Sequence, residues 1–309
     1  MLALLRSVAL FVATLGGAAL FLGVLLSAAP GDAADLVADD PALREALVER
    51  WGLDNPPWVH AGRLLTGAVQ GDMGESLTYR PGQPVAELVR RGAAESAPLV
   101  LVALFTTLLV GVGLAYVGAG RVASRRVVQA ASAAPVFLIA WLLMVVLNES
   151  VFALLEAGAI QRPSWFALPD EDSAFKTALA IGVLAVGSSA LAEVHAACEA
   201  ELARIRSAPY VDAARARGAP LWPHVLLNLV PPLTGVAASR AAFFVAGLVI
   251  IETVLHLNGA GAMLWQACRL RDYPLALGLT LAAAAAVAGA QLLGDAVRAA
   301  VDPRLRGIR

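Results

Sequence analysis

The sequence predicts an all-α, polytopic membrane protein, and three observations carry that prediction. The 309 residues are 59% hydrophobic and 15% charged, well below the charge content usual in soluble domains. The apolar residues gather in windows near the length that an α-helix needs to cross a bilayer. Between those windows the sign of the loop charge alternates along the chain.

The windows give roughly six spans, at residues 8–26, 97–117, 127–147, 175–194, 233–251 and 275–296. The first could also be a cleaved signal peptide, since Arg6, an apolar run and Ser27-Ala28-Ala29 fit one. Its apolar run is longer than a signal core, so a retained first transmembrane helix over residues 1–29 is expected. The fifth span carries Arg240 near its middle, a position that is costly unless the side chain faces a wet cavity or a partner. Pore lining or a subunit interface stands against snorkelling from a misplaced helix end, and both stay open. In the last span the Ala-rich stretch 281–290 suits close helix packing in lipid.

Arg121, Arg125 and Arg126 occupy the break after the second span. Arg204, Arg206, Arg215 and Arg217 lie in the break 195–232, and Arg298, Arg304, Arg306 and Arg309 at the end. The Arg preference for the inner face puts these segments and the N-terminus in the cytoplasm. The opposite breaks are acidic, with Asp32, Asp35, Asp39 and Asp40 in one and Glu149, Glu156, Asp170, Glu171 and Asp172 in the other. Residues 30–96 are too many for a plain connection and predict a small external cap. Within it, Asp40 as N-cap, Pro41 at the first helical position and Gly52 as terminator outline a helix with Leu43, Leu47, Val48 and Trp51 on one face. The stretch 51–58 reads as a turn with aromatic anchors, and the acids of the cap as solvated. Residues 97–309 would form the transmembrane core, with the cytoplasmic break at about 195–232 inside it.

That break holds Asp212-Ala213-Ala214 and then Gly218. Small residues let a partner approach the backbone, so the pattern reads as a docking surface for a second protein. No catalytic constellation accompanies it. The sequence has no Gly-x-x-x-x-Gly-Lys-Ser/Thr phosphate loop, and His60, His195, His224 and His256 are not spaced as ligand pairs. Cys198 and Cys268 fall on opposite sides of the expected membrane, so no disulfide is expected. The chain therefore reads as no enzyme, with no cofactor and no metal.

Ordered words along the chain carry a resemblance. They are Ala29-Pro30-Gly31-Asp32, Trp51-Gly52-Leu53-Asp54, Gly71-Asp72-Met73-Gly74-Glu75-Ser76-Leu77 and Pro135-Val136-Phe137 in the first half. Then come Tyr210-Val211-Asp212-Ala213-Ala214-Arg215-Ala216-Arg217-Gly218, Glu252-Thr253-Val254, Gly259-Ala260-Gly261, Arg271-Asp272-Tyr273-Pro274 and Asp302-Pro303-Arg304-Leu305-Arg306. Together they resemble the inner-membrane permease subunits of ABC importers for dipeptides, oligopeptides and nickel. The resemblance implies a type I ABC importer permease fold in a bacterial inner membrane. It also implies a second homologous permease subunit, cytoplasmic ABC ATPase subunits and an external solute-binding protein as partners, with membrane lipid around it and no nucleic acid. Asp212, Ala213, Ala214 and Gly218 would be the ATPase-coupling positions. The chain departs from the family's pattern where His224, Asn228 and Pro232 follow Gly218 at a shorter distance, with Pro220, Trp222 and Pro223 between. A diverged, non-transporting scaffold of the same fold is the alternative.

Overall fold

The computed structural model describes residues 2–28, 31–38, 40–118, 120–161, 174–220 and 222–301. Features read from the sequence at residues 29–30, 39, 162–173, 221 and 302–309 lie outside these. In chain order the helices are α1 (Leu2–Ala28), α2 (Pro41–Trp51), α3 (Pro57–Gln70), α4 (Val85–Val117), α5 (Val122–Ser132) and α6 (Val136–Glu156). There follow α7 (Ala174–Val186), α8 (Ala190–Arg206), α9 (Pro209–Ala216), α10 (Trp222–Val254), α11 (Ala260–Arg269) and α12 (Tyr273–Val301). The fold is all-α and polytopic, as expected.

Among the described residues, four segments are long and apolar enough to cross a membrane: Val85–Val117, Val136–Glu156, Asn228–Leu255 and Tyr273–Ala300. α7 and α8 together make a fifth, bent by 47°, and α1 contains the shorter apolar stretch Ala9–Leu25. Three expectations shift. The window 127–147 divides between α5, with Val127 exposed, and α6, because Pro135 starts a new helix after Ser132. The window 175–194 breaks where Ser188 and Ser189 take positive φ, 50° and 64°, which ends the α7 helix. The broad break 195–232 shrinks: α8 runs on to Arg206, and α10 starts at Trp222 and passes through Pro231 and Pro232. Neighbouring elements in a membrane can tolerate such prolines.

The chain divides into two compact units. The first comprises Met1–Ala97, Leu248–Thr253 and Asn258–Gly289. Its core joins Val85, Leu88 and Val89 of α4 with Ala267 of α11 and Leu275, Ala276 and Leu279 of α12. Leu15 and Leu22 of α1 pack with Leu65 and Ala68 of α3 against Leu277 and Leu281. The expected helix 41–51 forms: Asp40 accepts from the Ala42 N–H at 3.3 Å, and Gly52 closes it at φ 63°. Val48 is buried, but Leu43 is exposed, as is Trp58, so neither anchors the cap. The acids there are not merely solvated. Arg44 pairs with Asp32 at 2.8 Å and Asp35 at 2.6 Å, and Arg271 lies 3.5 Å from Asp35. The Arg44 hydrogen bond, helped by the Asp32 N–H, holds the Asp35 carboxyl below its usual range.

The second unit comprises Pro98–Gly247, Val254–Leu257 and Ala290–Arg309. Ala115 of α4, Val194, Cys198 and Leu202 of α8, and Leu229 of α10 form its core. The fully buried Thr107 donates to the Ala103 carbonyl at 2.8 Å and accompanies the Ala185 carbonyl at 3.1 Å, fastening α4 to α7. A Cβ on Gly111 would collide with Val194, so that glycine sets how closely α4 and α8 approach.

Candidate functional site

Two buried carboxylates organise the first unit. Asp272, fully buried, precedes α12, and its Oδ2 accepts from the Ser76 hydroxyl at 2.5 Å and from the N–H groups of Leu77, Thr78 and Tyr79 at 3.0, 3.1 and 3.0 Å. A carboxylate fits this turn because successive N–H groups form a concave anion cradle. Thr78 adds a 2.6 Å bond from its hydroxyl to the Leu270 carbonyl. Glu252 accepts from the Ser96 hydroxyl at 2.5 Å and from the N–H groups of Gly261 and Ala262 at 2.8 and 3.0 Å. It caps the positive end of α11. Ser96 completes that tie by accepting from the Ala260 N–H at 2.8 Å. A Cβ on Gly261 would meet the backbone of Leu248 and Val249, so only glycine permits this packing. The words around Ser76, Glu252, Gly259–Gly261 and Asp272, far apart in sequence, thus meet as two carboxylate clasps.

The same unit has a half-open cleft of about 370 Å³, lined among others by Trp51, His60, Arg63, Asp72 and Tyr273, a size suited to a small molecule. Burial, then the nearby Arg63 charge, pushes the His60 pKa below its usual value.

The docking positions lie on α9 and the turn after it. Pro209 occupies the first turn, Val211 and Ala214 are buried, and Asp212 and Ala213 are exposed. Asp212 is 71% exposed in its side chain and pairs with Arg215 at 3.2 Å. The Gly218 and Ala219 N–H groups donate to the Arg215 and Ala214 carbonyls, each at 3.0 Å, with Gly218 at φ 67°. That left-handed closure favours glycine. Ala214 therefore seats the helix, while Asp212, Ala213 and Gly218 face outward.

Arg240 sits well inside α10, not at a helix end. It is 7% exposed and pairs with Glu193 of α8 at 2.8 Å. Its guanidinium also lies 3.4 Å from the Ser188 carbonyl and 4.9 Å from the Phe243 ring centroid. Among the described residues, no group of three or more His, Cys, Asp or Glu side chains is placed to hold a metal ion.

A family model described as the inner membrane component of binding-protein-dependent transport systems matches residues 103–307. The chain belongs to that family. The permease is also 26% identical over 298 residues to the oligopeptide transport system permease protein AppB of Bacillus subtilis, covering 91% of this chain and 92% of that protein. A putative peptide permease of Brucella ovis is 28% identical over 297 residues, with 92% of each chain covered. The glutathione transport system permease protein GsiC of Salmonella paratyphi A is 24% identical over 289 residues, with 90% of each covered. The resemblance to ABC importer permeases read from the ordered words thus holds, and with it an inner-membrane location.

Sequence reasoning singled out Arg240 but missed Glu193, its partner. An acid inside an otherwise apolar segment was the available signal. It also missed the Ser76–Asp272 and Ser96–Glu252 clasps, whose signal was polar residues within the recurring words. Only the first two residues of α3 fall in the stretch 51–58 that reads as a turn, and the sequence reading names neither the rest of the helix nor the cleft beside it.

Proposed function

We propose that this permease forms half of the translocation path of an ATP-driven importer for peptides or a similar small solute. On this reading it couples to cytoplasmic ATPase subunits through residues 210–221. A second homologous membrane subunit supplies the other half of the path, and an external solute-binding protein delivers the cargo. Membership of the transport family supports the importer. The names of its relatives, which concern oligopeptides, peptides and glutathione, support the cargo class.

The observation that carries the coupling assignment is the surface of α9. A short helix, seated by Val211 and Ala214, presents Asp212 and Ala213 and ends at a left-handed Gly218. Small outward residues on a firmly seated helix suit insertion into a groove on a partner. On this reading Arg240 stands buried in the wall of the path, behind Glu193.

Two substitutions test the coupling at matched expression. Gly218→Val places a β-branched residue at positive φ, and Ala213→Glu adds charge and bulk to the outward face. Both should reduce ATPase co-purification and solute uptake about tenfold or more, a loss of roughly 1.4 kcal/mol or greater in docking. Membrane insertion should persist, because neither position belongs to an apolar span. Ala214→Glu is a poor probe, since it would unseat α9 itself. Full ATPase retention and uptake in both variants would exclude α9 as the coupling element.

A further inference from the structure

Arg240 lies near the middle of the candidate span Asn228–Leu255, and Glu193 near the middle of the bent span made by α7 and α8. Their ion pair, at 2.8 Å, joins two very unequal partners: the Arg240 side chain is 9% exposed and that of Glu193 47%. The arginine is held in place by Glu193, by the Ser188 carbonyl at 3.4 Å and by the Phe243 ring at 4.9 Å. The carboxylate keeps an open side.

Hydrocarbon is a poor neighbour for that open side. A carboxylate facing lipid at mid-span loses its hydration with nothing in return, whereas a water-filled path between subunits leaves it solvated. The break at Ser188 and Ser189 agrees with this. Non-helical backbone at membrane depth persists only where protein or a wet cavity covers it. Here the Ser188 and Ser189 N–H groups donate to the Ala134 and Ser132 carbonyls at 3.0 and 2.7 Å. The break is therefore braced on its protein side, and it turns the start of α8, with Glu193, away from the line of α7.

We propose that Glu193 is a contact for the ammonium group of the solute as it passes through the path, with Arg240 as its positioning residue. This rests on the importer reading above. A carboxylate accepts charge-assisted hydrogen bonds from an ammonium, the group that every peptide with a free N-terminus carries. The buried arginine offsets the carboxylate's charge from behind, so the attraction is strong enough to guide a cation and weak enough to release it.

The test uses the reconstituted complex of both membrane subunits, ATPases and binding protein, with trialanine as the probe. Glu193→Gln should lower uptake at subsaturating trialanine about tenfold, and Glu193→Asp should retain most of it. Arg240→Gln should raise the half-saturating trialanine concentration with little change in the maximal ATPase rate, and Arg240→Lys should restore it. With Cys198 and Cys268 replaced by alanine, Glu193→Cys should react with a membrane-impermeant thiol reagent in the assembled complex and be slowed by trialanine during turnover. An unreactive Cys at 193, or wild-type uptake in Glu193→Gln, overturns the inference alone. If the wild-type complex takes up no trialanine, the peptide-importer reading fails and the inference falls with it.

Discussion

At the scale of single residues, the positions that matter most in the first unit are acids with no solvent. Asp272 receives a hydroxyl and three N–H groups on Oδ2, and Oδ1 accepts from the Leu275 N–H at 3.3 Å. Asparagine has the same shape but one acceptor oxygen. Whichever way the amide turns, an NH₂ group faces a backbone donor. Asp272→Asn should therefore destabilise the unit by on the order of 3 kcal/mol, the upper end of the range for hydrogen bonds to a charged group. Heat denaturation of the purified permease in detergent, compared with wild type, would show a clearly lowered midpoint; an unchanged midpoint would mean that the clasp contributes little. Ser76→Ala removes a single donor and should cost less. The importance of these residues was half legible. Their words could be recognised in order, but no spacing rule pairs position 76 with 272 or 96 with 252. Such partners come from tertiary packing, and local sequence does not encode them.

At the scale of elements, strong local chemistry was readable and weak local chemistry was not. The helix α2 could be drawn from Asp40, Pro41 and Gly52 because cap, first position and terminator each act within a turn. The division of α7 from α8 could not. Two serines in apolar sequence usually bond the helix backbone, and here contacts with residues 132–136 and with Arg240 accompany their left-handed conformation. Helix α3 was hidden by Pro56-Pro57, which reads as a turn although Pro57 opens the helix. α3 also carries a pH dependence. Burial, then Arg63, lowers the pKa of His60 in the folded cap, so the folded state prefers the neutral imidazole. As pH falls below the ordinary histidine value, the unfolded segment takes up a proton first, and stability is lost until the lower folded pKa is passed. Hydrogen exchange over residues 57–70, corrected for intrinsic rate, should thus show more opening at about pH 5.5 than at about pH 7.5. His60→Gln should abolish the difference, and a wild-type segment indifferent to pH would refute it. The depressed Asp35 does not interfere. Its contribution is present at both pH values and is lost only as pH falls through its lowered carboxyl pKa, under strongly acidic conditions.

At the scale of the whole molecule, composition and apolar windows were enough for fold class and location, because lipid imposes length and hydropathy directly on the sequence. Where the spans begin and end was less legible, since amphipathic α5 and the proline-containing α10 blur the windows. Charge distribution remains the guide to orientation. Arg121, Arg125 and Arg126 lie before α6, and Arg204, Arg206, Arg215 and Arg217 lie around α9. Arginine is retained on the inner face during insertion, while acids exert little pull. That rule predicts the cap acids Asp32, Asp35 and Asp40 and the helix α2 outside, and α9 on the inner face. Glu49 and Arg217 are both exposed, so single cysteines there report on the two faces without disturbing a core. Cys268 is exposed and must first be replaced by serine, whereas Cys198 is buried and should label slowly. In intact cells an impermeant maleimide should modify Glu49→Cys at once. It should reach Arg217→Cys only after the membrane is opened. Labelling of both from the same side would place α2 and α9 on one face. The orientation would then be wrong, and α9 could not serve as the coupling helix, whatever its surface.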